Sequence, residues 1–271
     1  MQKHARINLF HLHYRLLKMY ELNLFFICIL ITTGFLAGII NTMAGGGSNL
    51  TIPALMVLGL PADIANATNR VSVLLQSLTA AKGFKKHGKL DIPDLKMIIL
   101  TTLVGGIAGA ILASYLPNEY LKPTLLISMI IMAAVILFKP SVITPPDGTI
   151  PNTVLGSKQS IPMLLLAGFY GGFVQAGVGF ILIAAIAGSL RYDLVRANAL
   201  KVVCTAAFTL IALFIFVLRE QVMWVPGLIL AIGSMLGAHL AVRITINISP
   251  KTLKWILFVM TICASLAAMY A

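Results

Sequence analysis

Of the chain's 271 residues, 59% are hydrophobic and only 10% charged, whereas an ordinary soluble domain carries about 45–50% apolar and about 25% charged residues. Too few polar side chains remain to cover a water-facing surface. The net charge of +12 does not point to nucleic acid, because no basic fold motif accompanies it. Lys and Arg instead gather in short segments between apolar runs, as the positive-inside rule expects of a membrane protein.

Residues 1–21 form a basic N-terminal extension with Lys3, Arg6, Arg15 and Lys18. No small-residue cleavage site follows the next apolar run, so a membrane anchor is expected rather than a removable signal peptide; Met19 offers an alternative start. Five hydrophobic segments follow in a first repeat, 22–138: Leu22–Ala44, Asn49–Leu60, Ile64–Phe84, Pro93–Leu116 and Tyr120–Phe138. A Pro/Gly/Ser-rich polar linker at 139–160 separates them from a second repeat, 161–271. Its segments are Ile161–Ala176, Phe180–Leu190, Leu194–Leu218, Val222–Arg243 and Pro250–Tyr270. A membrane-crossing helix needs about 20 apolar residues, so the expected fold is an all-α integral membrane protein with roughly eight to ten crossings. The second segment of each half is too short to span and reads as a half-helix or a re-entrant piece. Cys28, Cys204 and Cys263 lie in apolar runs without a CxxC pair, so they read as small buried hydrophobes, with no metal centre expected.

The halves echo each other. GFLAGIIN from Gly34 matches GFYGGFVQ from Gly168. Further on, ANATNRV from Ala65 matches ANALKVV from Ala197, and this second match has an offset of 132. The same offset sets Gly105 on Gly237 and Leu121-Lys122 on Leu253-Lys254. Duplication of this kind, often inverted, builds secondary transporters with the substrate site where the repeats meet. The basic loop between Lys82 and Lys96 should be cytoplasmic. Placing Arg191/Arg196 and Arg243/Lys251/Lys254 on that side too requires ten crossings, inverted repeats and an external N-terminus. The basic N-terminal stretch favours eight crossings with re-entrant pieces.

Two features point to chemistry. AGGGSNLTIP, Ala44 to Pro53, places Gly45, Gly46 and Gly47 in a row, and each costs a helix about 1 kcal/mol against Ala. Broken backbone inside a membrane is tolerated only against protein or a watery cavity. A helix resuming near Ser48 and Asn49 would aim free N–H groups at the break, which suits an anion. AGVGF, Ala176 to Phe180, is a weaker version in the second half; Gly34/Gly38 and Gly105/Gly109, four apart, read as packing glycines. The second feature is a pair of polar helix faces. Asn66, Asn69 and Ser77, with Arg70 beside them, share a face in one half, and Asn198, Lys201, Thr205 and Thr209 do so in the other. A cation deep in a membrane helix costs about 2.5–3.5 kcal/mol on insertion scales and marks function by default. Snorkelling to the headgroups, or pairing with Asp63 or Asp193, is the competing explanation. Gln76, Thr68 and Ser72 are further cavity candidates, and His239 is a candidate proton relay.

These motifs, GFLAGIINTMAGGGSNLTIPALMVLGLP followed by ANATN and the GFYGGF…RANALK echo, resemble the sulfite exporter TauE/SafE family of bacterial membrane proteins over nearly the whole chain after residue 30. The chain has Ala67-Thr68-Asn69 where the family pattern often has ATS. The resemblance implies export of sulfite, sulfoacetate or a related sulfur anion across the cytoplasmic (inner) membrane. The expected partners are that anion and the lipid bilayer, with no cofactor; without a GxxxxGK[ST] loop no ATP hydrolysis is expected. The competing functions are a non-transporting membrane scaffold and an intramembrane enzyme using Ser48 and His239.

Overall fold

The computed structural model describes residues 24–90, 92–138 and 149–247, with the helical backbone alone for 132–138. The basic extension, the first part of the linker and the tenth segment, with Trp255, Cys263 and Tyr270, lie outside the described residues. Within them the structure is helical, without strands: α1 (Leu24–Met43), α2 (Ser48–Val57), α3 (Ala62–Lys86), α4 (Leu95–Tyr115), α5 (Asn118–Phe138), α6 (Ser160–Phe173), α7 (Val178–Ile183), α8 (Leu194–Leu218) and α9 (Trp224–Asn247). A π-helical stretch, Ala184–Ser189, continues α7. Among the described residues, α1, α4, α8 and α9 are long and apolar enough to cross a membrane. The chain is a multi-pass membrane protein.

Its polarity is the reverse of a soluble protein's. On α4, Leu100, Val104, Ile107 and Ile111 stand exposed on the outer face, while Thr102, Gly105 and Gly109 are buried. Water would penalise that outer face, whereas lipid tails are as apolar as Leu itself. Helix association in lipid then rests on close packing rather than the hydrophobic effect. The predicted packing glycines supply it. A methyl group at Gly34 or Gly38 of α1 would fall 2.3 or 2.2 Å from a carbonyl oxygen of α9, and one at Gly233 or Gly237 of α9 would fall 2.1 Å from a carbonyl of α1. The α4–α6 pair has the same construction: Gly105 and Gly109 lie against Leu165 and Phe169, and Gly168 and Gly172 against Thr102 and Gly106. Both close pairs therefore join the first half of the chain to the second. At the centre, α3 packs against α8 and α9.

Residues 149–159, the last part of the polar stretch, are folded against this bundle. Val154 is fully buried, with its N–H donating to the Asp94 carboxylate and its carbonyl accepting from the Ser160 hydroxyl at 2.6 Å. The basic turn after α3 is exposed from Lys85 to Gly88.

Candidate functional site

Each half contains a helix that stops inside the protein and resumes after a short break. In the first, α1 ends at Met43 and α2 begins at Ser48, close to the restart at Asn49 expected from sequence. Gly45 takes the left-handed conformation, φ +95°, which only glycine adopts freely. Asn49, Leu50 and Thr51 donate their N–H groups back to Gly46 and Gly47. No hydrogen bond among the described residues takes the N–H groups of Gly46, Gly47 or Ser48. In the second half, α6 ends at Phe173, and Gln175 and Gly177 turn left-handed, at φ 68° and 78°, before α7. For a residue with a Cβ, such as Gln175, that conformation costs roughly 1–2 kcal/mol.

The two breaks cross. Gly179 donates its N–H to the Gly45 carbonyl at 3.2 Å, and a Cβ on Gly45 would lie 2.1 Å from the Gly179 Cα. Phe180 packs its ring over Gly46. The predicted glycine segments therefore meet at one place, and Lys201 joins them, its Cδ lying 3.0 Å from where a Cβ on Gly179 would stand.

Arg70 and Lys201 are fully buried, at 0% and 1% exposure. Neither snorkels, and neither pairs with the nearby acids. Asp63 accepts from Asn118 at 2.6 Å, and Asp193 caps α8 through the Arg196 N–H and pairs with its guanidinium at 3.6 Å. Arg70 instead reaches across to the carboxyl end of α6. Its two terminal nitrogens donate to the carbonyls of Gly171 (2.5 Å), Gly172 (2.9 Å) and Phe173 (3.3 Å), to Asn66 Oδ1 (3.2 Å) and to Gln175 Oε1. Asn66 Nδ2 donates to the same Phe173 carbonyl, and the Phe216 ring lies 5.5 Å from the guanidinium carbon. Lys201 does the reciprocal thing, donating to the Thr42 carbonyl at the end of α1 (2.8 Å) and to Asn198 Oδ1 (2.7 Å). Each half's cation thus caps the broken helix of the other half.

The magnitudes explain why such cations are tolerated. A hydrogen bond to a charged group contributes about 1.5–3 kcal/mol, so five acceptors more than offset the insertion cost of Arg70. The carboxyl end of a helix also carries about half a negative charge, which each cation neutralises. The amino end of α2 has no acidic partner, and no acidic side chain is buried among the described residues. The crossing is therefore electropositive.

The remaining predicted residues divide into two groups. Asn69 donates to Ser48 Oγ at 3.0 Å and accepts from Thr51 at 2.7 Å, which ties α3 to the start of α2. The Asn49 amide is buried with neither atom partnered, and Thr42 Oγ1, Asn198 Nδ2, Arg70 Nε and Gln175 Nε2 are likewise without partners. Thr205, Thr209 and Ser77 are buried on the same two helices, and Thr209 donates to Gln175 Oε1 at 3.4 Å. The structure does not bring the rest into this group. Thr68 accepts from the Met223 N–H and Ser72 bonds Ser234, both fastening α9. His239 is exposed on the outer surface of α9, away from the breaks. Sequence reasoning missed Gln175 and Thr42. The alignment of Gln175 with Asn41, two amides closing the matched GFLAGIIN and GFYGGFVQ segments, was the available signal.

Broken helices crossing inside an apolar-faced bundle, with buried cations at their ends, define a multi-pass membrane protein of the transporter class. The sulfite exporter TauE/SafE profile matches residues 30–268, and the chain belongs to that family. It is 28% identical over 252 residues to the probable membrane transporter protein YfcA of Escherichia coli K12, covering 89% of each chain. A probable membrane transporter protein of Haemophilus influenzae is 26% identical (90% of this chain, 94% of that one), and the ORF9 protein of a Sinorhizobium species, of the same description, is 25% identical (92% and 94%). No solved structure matches the chain.

Proposed function

We propose that this protein is a secondary transporter, not an enzyme, that moves a small sulfur oxyanion such as sulfite, or an organosulfonate such as sulfoacetate, across the bacterial cytoplasmic membrane. The observation that carries this reading is the pair of wholly buried cations without a buried acidic residue among the described residues. Two unit charges set against two helix carboxyl ends of about half a negative charge each leave a net positive charge at the crossing, and an anion there would balance it. Arg70 keeps its Nε–H unspent, and Lys201 uses two of its three N–H groups on protein oxygens. These donors, the free N–H groups of Gly46, Gly47 and Ser48, and the amides of Asn49 and Asn198 are the groups an oxyanion would bind. The two inverted repeats, 22–138 and 161–271, would form the site where their breaks cross. That division is supported by the reciprocal capping and by the matched α1–α9 and α4–α6 pairs.

The test is thermal stability of the purified protein with sulfite, sulfoacetate, sulfate, thiosulfate, taurine or phosphate, followed by flux into proteoliposomes. A bound ligand raises stability by RT ln(1 + [L]/Kd), about 2.7 kcal/mol at a hundredfold excess over Kd. Stabilisation and saturable flux are expected with a sulfur oxyanion; no stabilisation by any of them would overturn the reading. A single cysteine at Gly88 should react only from the cytoplasmic side, and periplasmic labelling would reverse the orientation.

A further inference from the structure

Two short limbs of the fold are hinged alike. α2 lies between the left-handed residues Gly45 and Gly59, at φ 95° and 96°, and α7 with its π-helical extension lies between Gly177 and Arg191, at φ 78° and 60°. Gly177 and Arg191 stand 132 positions after Gly45 and Gly59, the offset that relates ANATNRV to ANALKVV. Arg191 holds this conformation without the freedom of glycine, so the turn is kept at a cost. Each limb is also interrupted at the same repeat position. Pro53 removes a backbone N–H from the middle of α2. The matching residue, Ala185, lies in the π-helical stretch Ala184–Ser189, a form that recurs at functional sites.

The limbs leave the crossing toward opposite ends of the bundle. α2 ends beside the start of α3, where Leu60, Ala62 and Ile64 pack with Leu121 of α5. The π stretch ends beside the start of α8, which packs on the last turns of α3 through Ala199 and Phe84, the end that carries the basic turn. There the segment 152–157 fastens it. Asn152 donates its backbone N–H to the Leu190 carbonyl at 2.8 Å and its side-chain amide to the Ser189 carbonyl at 3.2 Å, and the Ser157 and Ser189 hydroxyls lie 3.2 Å apart. Val154 is buried in one cluster with Leu190 and Tyr192. Arg70 and Lys201 are wholly buried, so an anion reaches them only if a wall opens. The α1–α9 and α4–α6 pairs touch backbone to backbone at their glycines and have no slack. The limbs are bounded instead by residues at element ends, the usual hinges of gating elements.

We propose that α2 and the α7–π limb are the two gates of the transporter, one toward each face, and that residues 152–157 are the latch that holds the second gate shut. This inference rests on the anion-transport reading and adds to it the parts that move. Opening the second gate breaks the contacts of Asn152 and Ser157 and turns the limb about Gly177 and Arg191, while α6 stays on α4. The latched gate is the one on the side of the basic turn, the face expected to be cytoplasmic.

Ser157→Cys/Ser189→Cys tests the latch, because side chains this close can be bridged with little backbone movement. Flux of the anion that the wild type carries is compared in proteoliposomes before oxidation, after it, and after reduction with dithiothreitol. For sulfite, which cleaves disulfides, the pair is bridged with dibromobimane, whose thioethers sulfite leaves intact. Expected are at least tenfold slower flux in the bridged protein, recovery when the disulfide is reduced, and no loss in either single-cysteine variant given the same treatment. Flux within twofold of the unbridged protein, or failure of the two cysteines to bridge, overturns the latch. Should the pair be inactive even unbridged, hydrogen exchange of the wild type decides. Amides of residues 178–190 are expected to exchange at least tenfold faster than those of α6, and equal rates overturn the gate. Absence of flux of every sulfur oxyanion in the wild type overturns the transport reading, and the gates with it.

Discussion

The two breaks do the same job with different materials. In the first, the turn is made by Gly45 without strain, and the end of α1 is held by Lys201 through one carbonyl and one asparagine oxygen. In the second, a non-glycine residue carries part of the turn, and the end of α6 is held by an arginine fork on three carbonyls. A planar guanidinium can satisfy several carbonyls at once, while an ammonium is a point charge with three donors. The first break therefore offers mainly backbone N–H groups, and the second mainly side-chain groups. The electropositive crossing is assembled from one of each.

The sharpest way to break that comparison is at the point of contact. Gly45→Ala adds a Cβ 2.1 Å from the Gly179 Cα and opposes φ +95°. Overpacking costs about 1–3 kcal/mol and the left-handed backbone roughly 1–2 kcal/mol more. The melting temperature in detergent should fall sharply and flux should vanish; a variant that melts like wild type would mean the breaks do not touch.

Next come the cations, whose loss should differ between the halves. Arg70→Ala strands the Gly171 and Gly172 carbonyls and Asn66 Oδ1, while the Phe173 carbonyl keeps Asn66 and Gln175 Oε1 keeps Thr209, and at about 1 kcal/mol for each stranded acceptor it should cost about 3 kcal/mol. Lys201→Ala strands one carbonyl and one amide oxygen, about 2 kcal/mol in all. Both should abolish anion flux while remaining in the membrane, and Arg70→Lys should weaken it substantially because a single ammonium cannot reproduce the fork. Equal melting temperatures for the two alanine variants would remove the asymmetry argued above. Wild-type flux in both would reduce the cations to structural caps.

A smaller effect on folding, but not on transport, is expected at Gly46. A Cβ there would crowd only the edge of the Phe180 ring, at 3.1 Å, with Ile40 at an ordinary 3.8 Å, and a ring can shift. Gly46→Val should stay within about 2 kcal/mol of wild type in stability and still lose flux, because it crowds the free N–H groups beside it. Normal flux would leave the segment a packing element.

Much of this could be read in the sequence because it is written in residue types. Three glycines in a row, two cations in apolar helices and polar residues at helical spacing each violate a local expectation. Their partners could not be read, since Arg70 and Lys201 bind backbone carbonyls 101 to 159 positions away, and a carbonyl carries no residue identity. For the same reason Thr68 and Ser72 looked like cavity residues although they fasten α9. Helical spacing places a residue on a face without saying which neighbour the face meets, which is also why His239 could be counted with the site while standing on the outside.

The smallest predicted effects lie at Ser48 and His239, the two groups an intramembrane hydrolase would need most. Ser48 Oγ accepts a hydrogen bond from Asn69 at 3.0 Å, and Ser48→Ala removes that bond, at about 1 kcal/mol. The substitution keeps the Ser48 N–H, which is the group proposed to face the anion. Flux should therefore stay within about threefold of wild type. His239→Ala changes an exposed side chain on the outer face of α9, and substitutions of that kind shift stability by less than about 0.5 kcal/mol. A nucleophile and its base would behave in the opposite way, each losing function by orders of magnitude at unchanged melting temperature. Flux assays of the two variants beside Gly46→Val decide it: if Ser48→Ala is as inactive as Gly46→Val, the first break works through the hydroxyl rather than the backbone.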